Sequence, residues 1–96
     1  MTRNEILENL RQFIEAHGEK YHIRRIGVFG SAARDAMKDD SDIDIVVVME
    51  PVDFSSFIGL KHDLEEILYH KVDVIRYRDR MNPFFKNTID HEAVYV

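Results

Sequence analysis

The run Ile43-Asp44-Ile45-Val46-Val47-Val48-Met49 is the segment whose conformation the sequence leaves least open. β-Branched side chains lose rotamer freedom in a helix and pack well on a pleated surface, so this run reads as a strand, which Pro51 terminates. Asp44 interrupts it where aspartate is disfavoured. Side chains alternate faces along a strand, so Asp42 and Asp44 point one way while Ile43, Ile45 and Val47 point the other way into apolar surroundings. Residues two apart lie about 6.5 to 7 Å apart at Cα. Carboxylates that approach to ~6 Å repel by roughly 3 kcal/mol at an effective dielectric of 20, and a cation between them relieves that repulsion. Asp73, within Val72-Asp73-Val74-Ile75, repeats the pattern on a later strand. If the two strands are neighbours, three carboxylates converge in an all-oxygen set suited to Mg²⁺ or Mn²⁺, and two such ions can clamp the attacking and leaving oxygens of phosphoryl or nucleotidyl transfer. On these residues alone a second reading stays open, in which Asp39, Asp40 and Asp42 form a solvated turn and Asp44 faces water at a sheet edge.

The flanking segments supply the remaining elements. Thr2 with Glu5 forms a capping box, and Ile6, Leu7, Leu10, Phe13 and Ile14 recur at helical spacing, giving a helix over about residues 3 to 17 that Gly18 ends. Ile23 to Phe29 reads as a strand stopped by Gly30-Ser31, and residues 32 to 37 favour a short helix. Asp53 or Ser55 caps a third helix running to about Tyr69, with Phe57, Ile58, Leu60, Leu64, Ile67 and Leu68 on its inner face. Val72 to Tyr77 alternates as a third strand. Asn82-Pro83 then starts a last helix through about His91. With no linker, repeat or low-complexity tract, residues 1 to 96 form one small α/β layer structure in the order α-β-α-β-α-β-α.

The Gly30-Ser31 turn lies between a strand and a helix, an arrangement that aims backbone N–H groups and a hydroxyl at an anion. Arg34, one turn on, adds a charge-assisted contact to the same group. Charge limits the other ligands. A net charge of −5 argues against a broad grip on a nucleic-acid backbone, since that affinity comes from lysine and arginine displacing counterions. The one basic cluster, Arg76, Arg78 and Arg80, reads as a solvated strand end and stays outside the site. The five histidines show no metal-ligand spacing, and the absence of cysteine removes thiolate chemistry. With no signal-peptide pattern and no apolar run near the ~18 residues that span a bilayer, a soluble cytoplasmic protein is expected, with no membrane partner. Phe54, Phe57, Phe84 and Phe85 read as core or partner contacts rather than base-stacking platforms. The apolar faces of the first and last helices offer a surface for a homo-oligomer.

Gly30-Ser31, then the ten residues 32 to 41, then Asp42-Ile43-Asp44 resembles the signature of the polymerase-beta-type nucleotidyltransferase superfamily. The stretch Gly27 to Arg34, the block Asp40 to Asp44, Val72-Asp73-Val74 and the ending Ile89 to Val96 resemble its minimal members. The resemblance implies a nucleotidyltransferase fold, a small mixed β-sheet flanked by helices. It implies an ATP- and magnesium-dependent enzyme in which Gly30 and Ser31 hold the terminal phosphates with Arg34 assisting. Asp42, Asp44 and Asp73 hold two Mg²⁺ ions, or Mn²⁺, and Asp73 helps activate the acceptor. Asp35 departs from the glycine common in relatives, and a carboxylate there is expected to weaken the phosphate contact of Arg34. Similar minimal proteins are antitoxins whose partners are HEPN ribonuclease toxins, some inactivated by transfer of AMP to a tyrosine, and that is the function the resemblance implies. Two alternatives remain beside it: an antitoxin acting by contact alone, and a nucleotidyltransferase acting on a small molecule.

Overall fold

The computed structural model describes residues Met1 to Val96. Helix α1 (Arg3–His17) begins at the expected capping box, with Thr2 Oγ1 accepting from the Glu5 N–H (3.2 Å) and the Thr2 N–H donating to Glu5 Oε1 (3.1 Å). Strand β1 (Ile23–Phe29) leads into a short helix α2 (Gly30–Ala33), and β2 (Ile43–Met49) into α3 (Phe54–Leu68). Strand β3 (Val72–Arg76), helix α4 (Pro83–Glu92) and a two-residue strand β4 (Val94–Tyr95) complete the chain. The sheet is mixed, in the order β3-β2-β1-β4, with β1 antiparallel to both β2 and β4 and with β2 parallel to β3.

Strand alternation sends two different sets of side chains to the two faces. Ile26, Val28, Ile43, Ile45, Val47 and Val72 join Ile6, Leu10 and Phe13 of α1 and Leu60, Leu64 and Leu68 of α3 in a cluster of 17 buried residues. The opposite face is thinly covered: its buried cluster is only Phe29, Val46 and Ile89, the last from α4. One face is therefore sealed by two helices, and the other is closed by α4 at one end only. No helix is long and apolar enough to cross a membrane.

Four local expectations are corrected. The helix expected over 32 to 37 is instead Gly30–Ala33, followed by a turn in which Asp35 has φ +56°, a left-handed conformation that favours glycine and that aspartate tolerates. Strand β3 stops at Arg76 rather than Tyr77. Ile58, expected on the inner face of α3, is 47% exposed and turns toward the thinly covered side. The order gains a final strand, since Val94 pairs with Val28 and Tyr95 with Gly27. That pairing explains Gly27, where an added Cβ would lie 2.4 Å from the Val94 carbonyl oxygen. The Arg25 guanidinium stacks 3.8 Å from the Tyr95 ring centroid and helps hold β4 in place.

Helices α1 and α3 are tied beyond their apolar contact. Phe13 stacks on Tyr21, whose hydroxyl donates to Asp63 Oδ2 on α3 at 2.5 Å. This bond holds the Asp63 carboxyl below the usual range, while burial, followed by the same carboxylate, holds the Tyr21 hydroxyl above its own. A lowered folded value stabilises the fold fully above the ordinary aspartate value of about 3.9, and the gain disappears as pH falls through the folded value. Tyr21→Phe is accordingly expected to cost about 1 kcal/mol at pH 7 in urea unfolding. Its gap to the wild type should narrow below about pH 4. A gap that stays constant down to pH 2 would contradict this account of the tie.

Candidate active site

The parallel register of β2 and β3 sets Asp44 directly beside Asp73. Neighbouring strands lie about 4.8 Å apart, so two carboxylates in register are forced close together. The Asp44 carboxyl is pushed above its usual range by burial first, then by the charges of Asp73 and Asp42, with Arg34 opposing and Glu92 adding to the rise. Asp44 and Asp73 also line one cleft of about 720 Å³, on the face of the sheet that α4 leaves partly open. A cation between the two carboxylates would offset this repulsion, and oxygen donors of this kind suit a hard divalent ion.

Gly30 forms one wall of that cleft, with φ +66°, and an added Cβ would meet Asp44 Oδ2 at 2.3 Å. Glycine is thus required twice, by its backbone conformation and by the carboxylate packed against it. Arg34 faces the same cleft and forms an ion pair with Glu92 at the end of α4. Asp35 does not compete for it. Its Oδ1 accepts from the Arg3 N–H at 2.9 Å, and the Arg3 side chain donates to the Ala33 carbonyl at 3.1 Å, so the departure from glycine ties α1 to the turn. The expected weakening of Arg34 by Asp35 is corrected: the carboxylate on Arg34 is that of Glu92.

Four of the six expected site residues thus share the cleft: Gly30, Arg34, Asp44 and Asp73. Ser31 and Asp42 do not line it. Ser31 is half-buried in α2, and Asp42 is exposed immediately before β2, near enough to bear on Asp44 but not placed by the strand pleat. The three aspartates do not close into a ready-made ligand group. Asp44 and Asp73 would hold a cation, and Asp42 would have to turn toward them to join.

Several lining residues were not read as site residues from the sequence. Lys61 and Thr88 bring a cation and a hydroxyl to the cleft, and Phe54, Ile58, Phe84 and Phe85 form its apolar rim. Phe54 and Phe84 are 80% and 72% exposed, far more than a core residue allows. A signal for α3 was available: Phe54, Phe57, Ile58 and Lys61 repeat at i, i+3, i+4 and i+7, a stripe distinct from Leu60, Leu64 and Leu68.

Sequence and structure comparisons agree with one another. The family model for polymerase beta nucleotidyltransferases matches residues 8–96. MJ1217 of Methanocaldococcus jannaschii, whose name assigns it provisionally as a protein adenylyltransferase, is 38% identical over 96 residues, covering 99% of this chain and 98% of the relative. The protein adenylyltransferase MntA of Thermococcus cleftensis is 36% identical over 95 residues, covering 94% of this chain and 95% of its own length. A solved structure provisionally identified as a minimal nucleotidyltransferase superposes with a TM-score of 0.78 at 29% identity, covering 98% of this chain and 95% of that one. A toxin–antitoxin crystal structure with AMP-PNP shares the fold, with a TM-score of 0.72 at 23% identity over 99% of this chain and 72% of that one.

The contact between Gly30 and Asp44 is open to a double-mutant cycle. Gly30→Ala is expected to lower stability by about 2 kcal/mol in denaturant unfolding, from the left-handed backbone and the clash together. In an Asp44→Ala background the cost should fall to the backbone part alone, about 1 kcal/mol. Equal costs in the two backgrounds would show that the carboxylate does not pack against Gly30.

Proposed function

Because the chain belongs to the polymerase-beta nucleotidyltransferase family, we propose that it is an antitoxin that transfers AMP from ATP to a tyrosine of a HEPN ribonuclease toxin, with two Mg²⁺ ions at Asp42, Asp44 and Asp73. The observation that carries the reading is the register pair Asp44–Asp73 in one cleft with Gly30 and Arg34. Relatives that match nearly the whole chain bear the name protein adenylyltransferase, which supports a protein acceptor. The toxin–antitoxin structures that share the fold, one of them with AMP-PNP, support a toxin partner and an adenine nucleotide.

The residues divide the work. Gly30 lets the triphosphate approach the backbone closely, and Ser31, next to it but off the cleft wall, would have to be reached by the terminal phosphates to offer its hydroxyl and N–H. Arg34 contacts the same phosphates after giving up Glu92, and Lys61, which lines the same cleft, adds a second cation. Asp44 and Asp73, joined by Asp42, would hold the divalent cations, whose charge would offset the phosphates and ease ionisation of the acceptor. Asp73, the more exposed of the register pair, takes up the acceptor proton as the tyrosine oxygen forms its bond to the α-phosphorus. The bond from that phosphorus to the bridging oxygen breaks, and pyrophosphate leaves. The nucleotidyl group is thereby moved by placement and charge rather than by a covalent enzyme intermediate.

The test incubates a HEPN ribonuclease toxin with the purified chain, ATP and Mg²⁺ and reads the toxin by intact mass and peptide mapping. One AMP mass should appear on a tyrosine of the partner. Asp44→Asn should slow the transfer by about a thousandfold. No added mass, with neutralisation of the partner undiminished in an Asp42→Ala/Asp44→Ala variant, would overturn adenylyl transfer and leave an antitoxin that acts by contact.

A further inference from the structure

We infer that the groove along the outer edge of β3 docks an extended, acidic segment of the acceptor protein and delivers it to the catalytic cleft. The inference rests on the reading of the acceptor as a polypeptide. Strand β3 is the outermost strand on its side of the sheet, so no strand pairs with its outer edge. Within residues 72 to 76 only the Val72 N–H is bonded by a side chain, to Glu65 Oε2 at 3.1 Å. A groove of about 530 Å³ runs beside this edge, walled by Phe54 and Phe57 of α3 on one side and by Met81 and Phe85 on the other. It is continuous with the catalytic cleft, since Phe54, Phe57, Val74, Ile75 and Phe85 line both.

Charge selects the occupant. Arg76 and Arg78 line the groove, and neither takes part in any of the ion pairs of the structure. The one lining carboxylate, Asp53, has its Oδ1 engaged by the Ser56 N–H at 2.7 Å as the cap of α3. In a chain of net charge −5, this is a local reversal of sign. An open strand edge offers main-chain hydrogen bonds to an extended chain, and apolar walls offer pockets to its alternate side chains. Two arginines in an acidic protein supply little counterion release, which disfavours a nucleic-acid occupant. The geometry fits a peptide that pairs along β3, sets acidic side chains on Arg76 and Arg78, and passes its tyrosine over Phe54 and Phe85 toward Asp73.

Short fluorescein-labelled peptides with one tyrosine flanked by glutamates or by lysines, titrated with the full chain and read by anisotropy, provide the test. The glutamate peptide should bind about tenfold tighter at low salt, and Arg76→Glu/Arg78→Glu should abolish the preference. The single variant Arg78→Glu, at an exposed position, should give an intermediate preference with an unchanged melting temperature. The KM for ATP in adenylyl transfer should be the same in all three proteins. Equal binding of the two peptides, or a preference that survives charge reversal, would overturn the inference. So would an increased KM for ATP in the variants, which would assign the arginines to the nucleotide. Displacement of the glutamate peptide by a single-stranded oligonucleotide, or by self-association of the chain, would assign the groove to those occupants instead. Anisotropy needs no turnover, so a preserved peptide preference without any transfer would count against the adenylyl-transfer reading alone.

Discussion

Parallel pairing between β2 and β3 places Asp44 against Asp73, and this enforced closeness of two carboxylates organises the site around it. The arrangement opposes folding in the absence of a cation, because burial and the neighbouring charges both disfavour ionised Asp44. The cost is carried by the opposite face, where α1 and α3 complete the cluster of 17 buried residues. The catalytic face is left with Phe29, Val46 and Ile89 as its buried apolar contact, and Phe84, Phe85, Thr88 and Glu92 of α4 line the cleft that the carboxylates share. Asymmetric packing of one small sheet thus provides both the stability and the opening.

The second determinant is the competition for Arg34. Glu92 holds its guanidinium, lines the same cleft and adds to the negative field at Asp44. A nucleotide's phosphates would therefore replace one anionic partner with another rather than meet a free cation. Asp35, which on sequence grounds threatened that contact, is occupied by the backbone of α1. The same turn consequently carries, on adjacent residues, a carboxylate that ties α1 and an arginine that faces the cleft.

Much of this was legible before any coordinates, and the reasons differ by residue. The capping box of α1 and the β-branched core of β2 are local signals that appear where they were read, and of the two caps read for α3, Asp53 or Ser55, it is Asp53 that forms. Asp44 and Asp73 were legible as charges inside strands, since nothing apolar would favour them there. Strand β4 was not, because a two-residue strand is held by long-range pairing to Gly27 and Val28 and has no periodicity of its own. Asp42 lies one residue before β2 begins at Ile43, and its charge bears on Asp44. Glu92 and Lys61 were invisible as site residues because each meets the cleft only through the packing of α4 and α3 on the sheet.

The measurement that tests the central claim most directly is thermal unfolding of the wild type and Asp44→Asn, each in EDTA and in Mn²⁺. A raised folded value for Asp44 carries a penalty at neutral pH that vanishes below the ordinary value of about 3.9, where the carboxyl is protonated in both states. In EDTA at pH 7 Asp44→Asn should therefore melt higher than the wild type. Mn²⁺ should raise the melting temperature of the wild type by preferential binding to the folded state and leave Asp44→Asn nearly unchanged. A wild type that does not respond to Mn²⁺, or a variant that responds equally, would contradict the assignment of the Asp44–Asp73 pair as the metal-binding heart of the site.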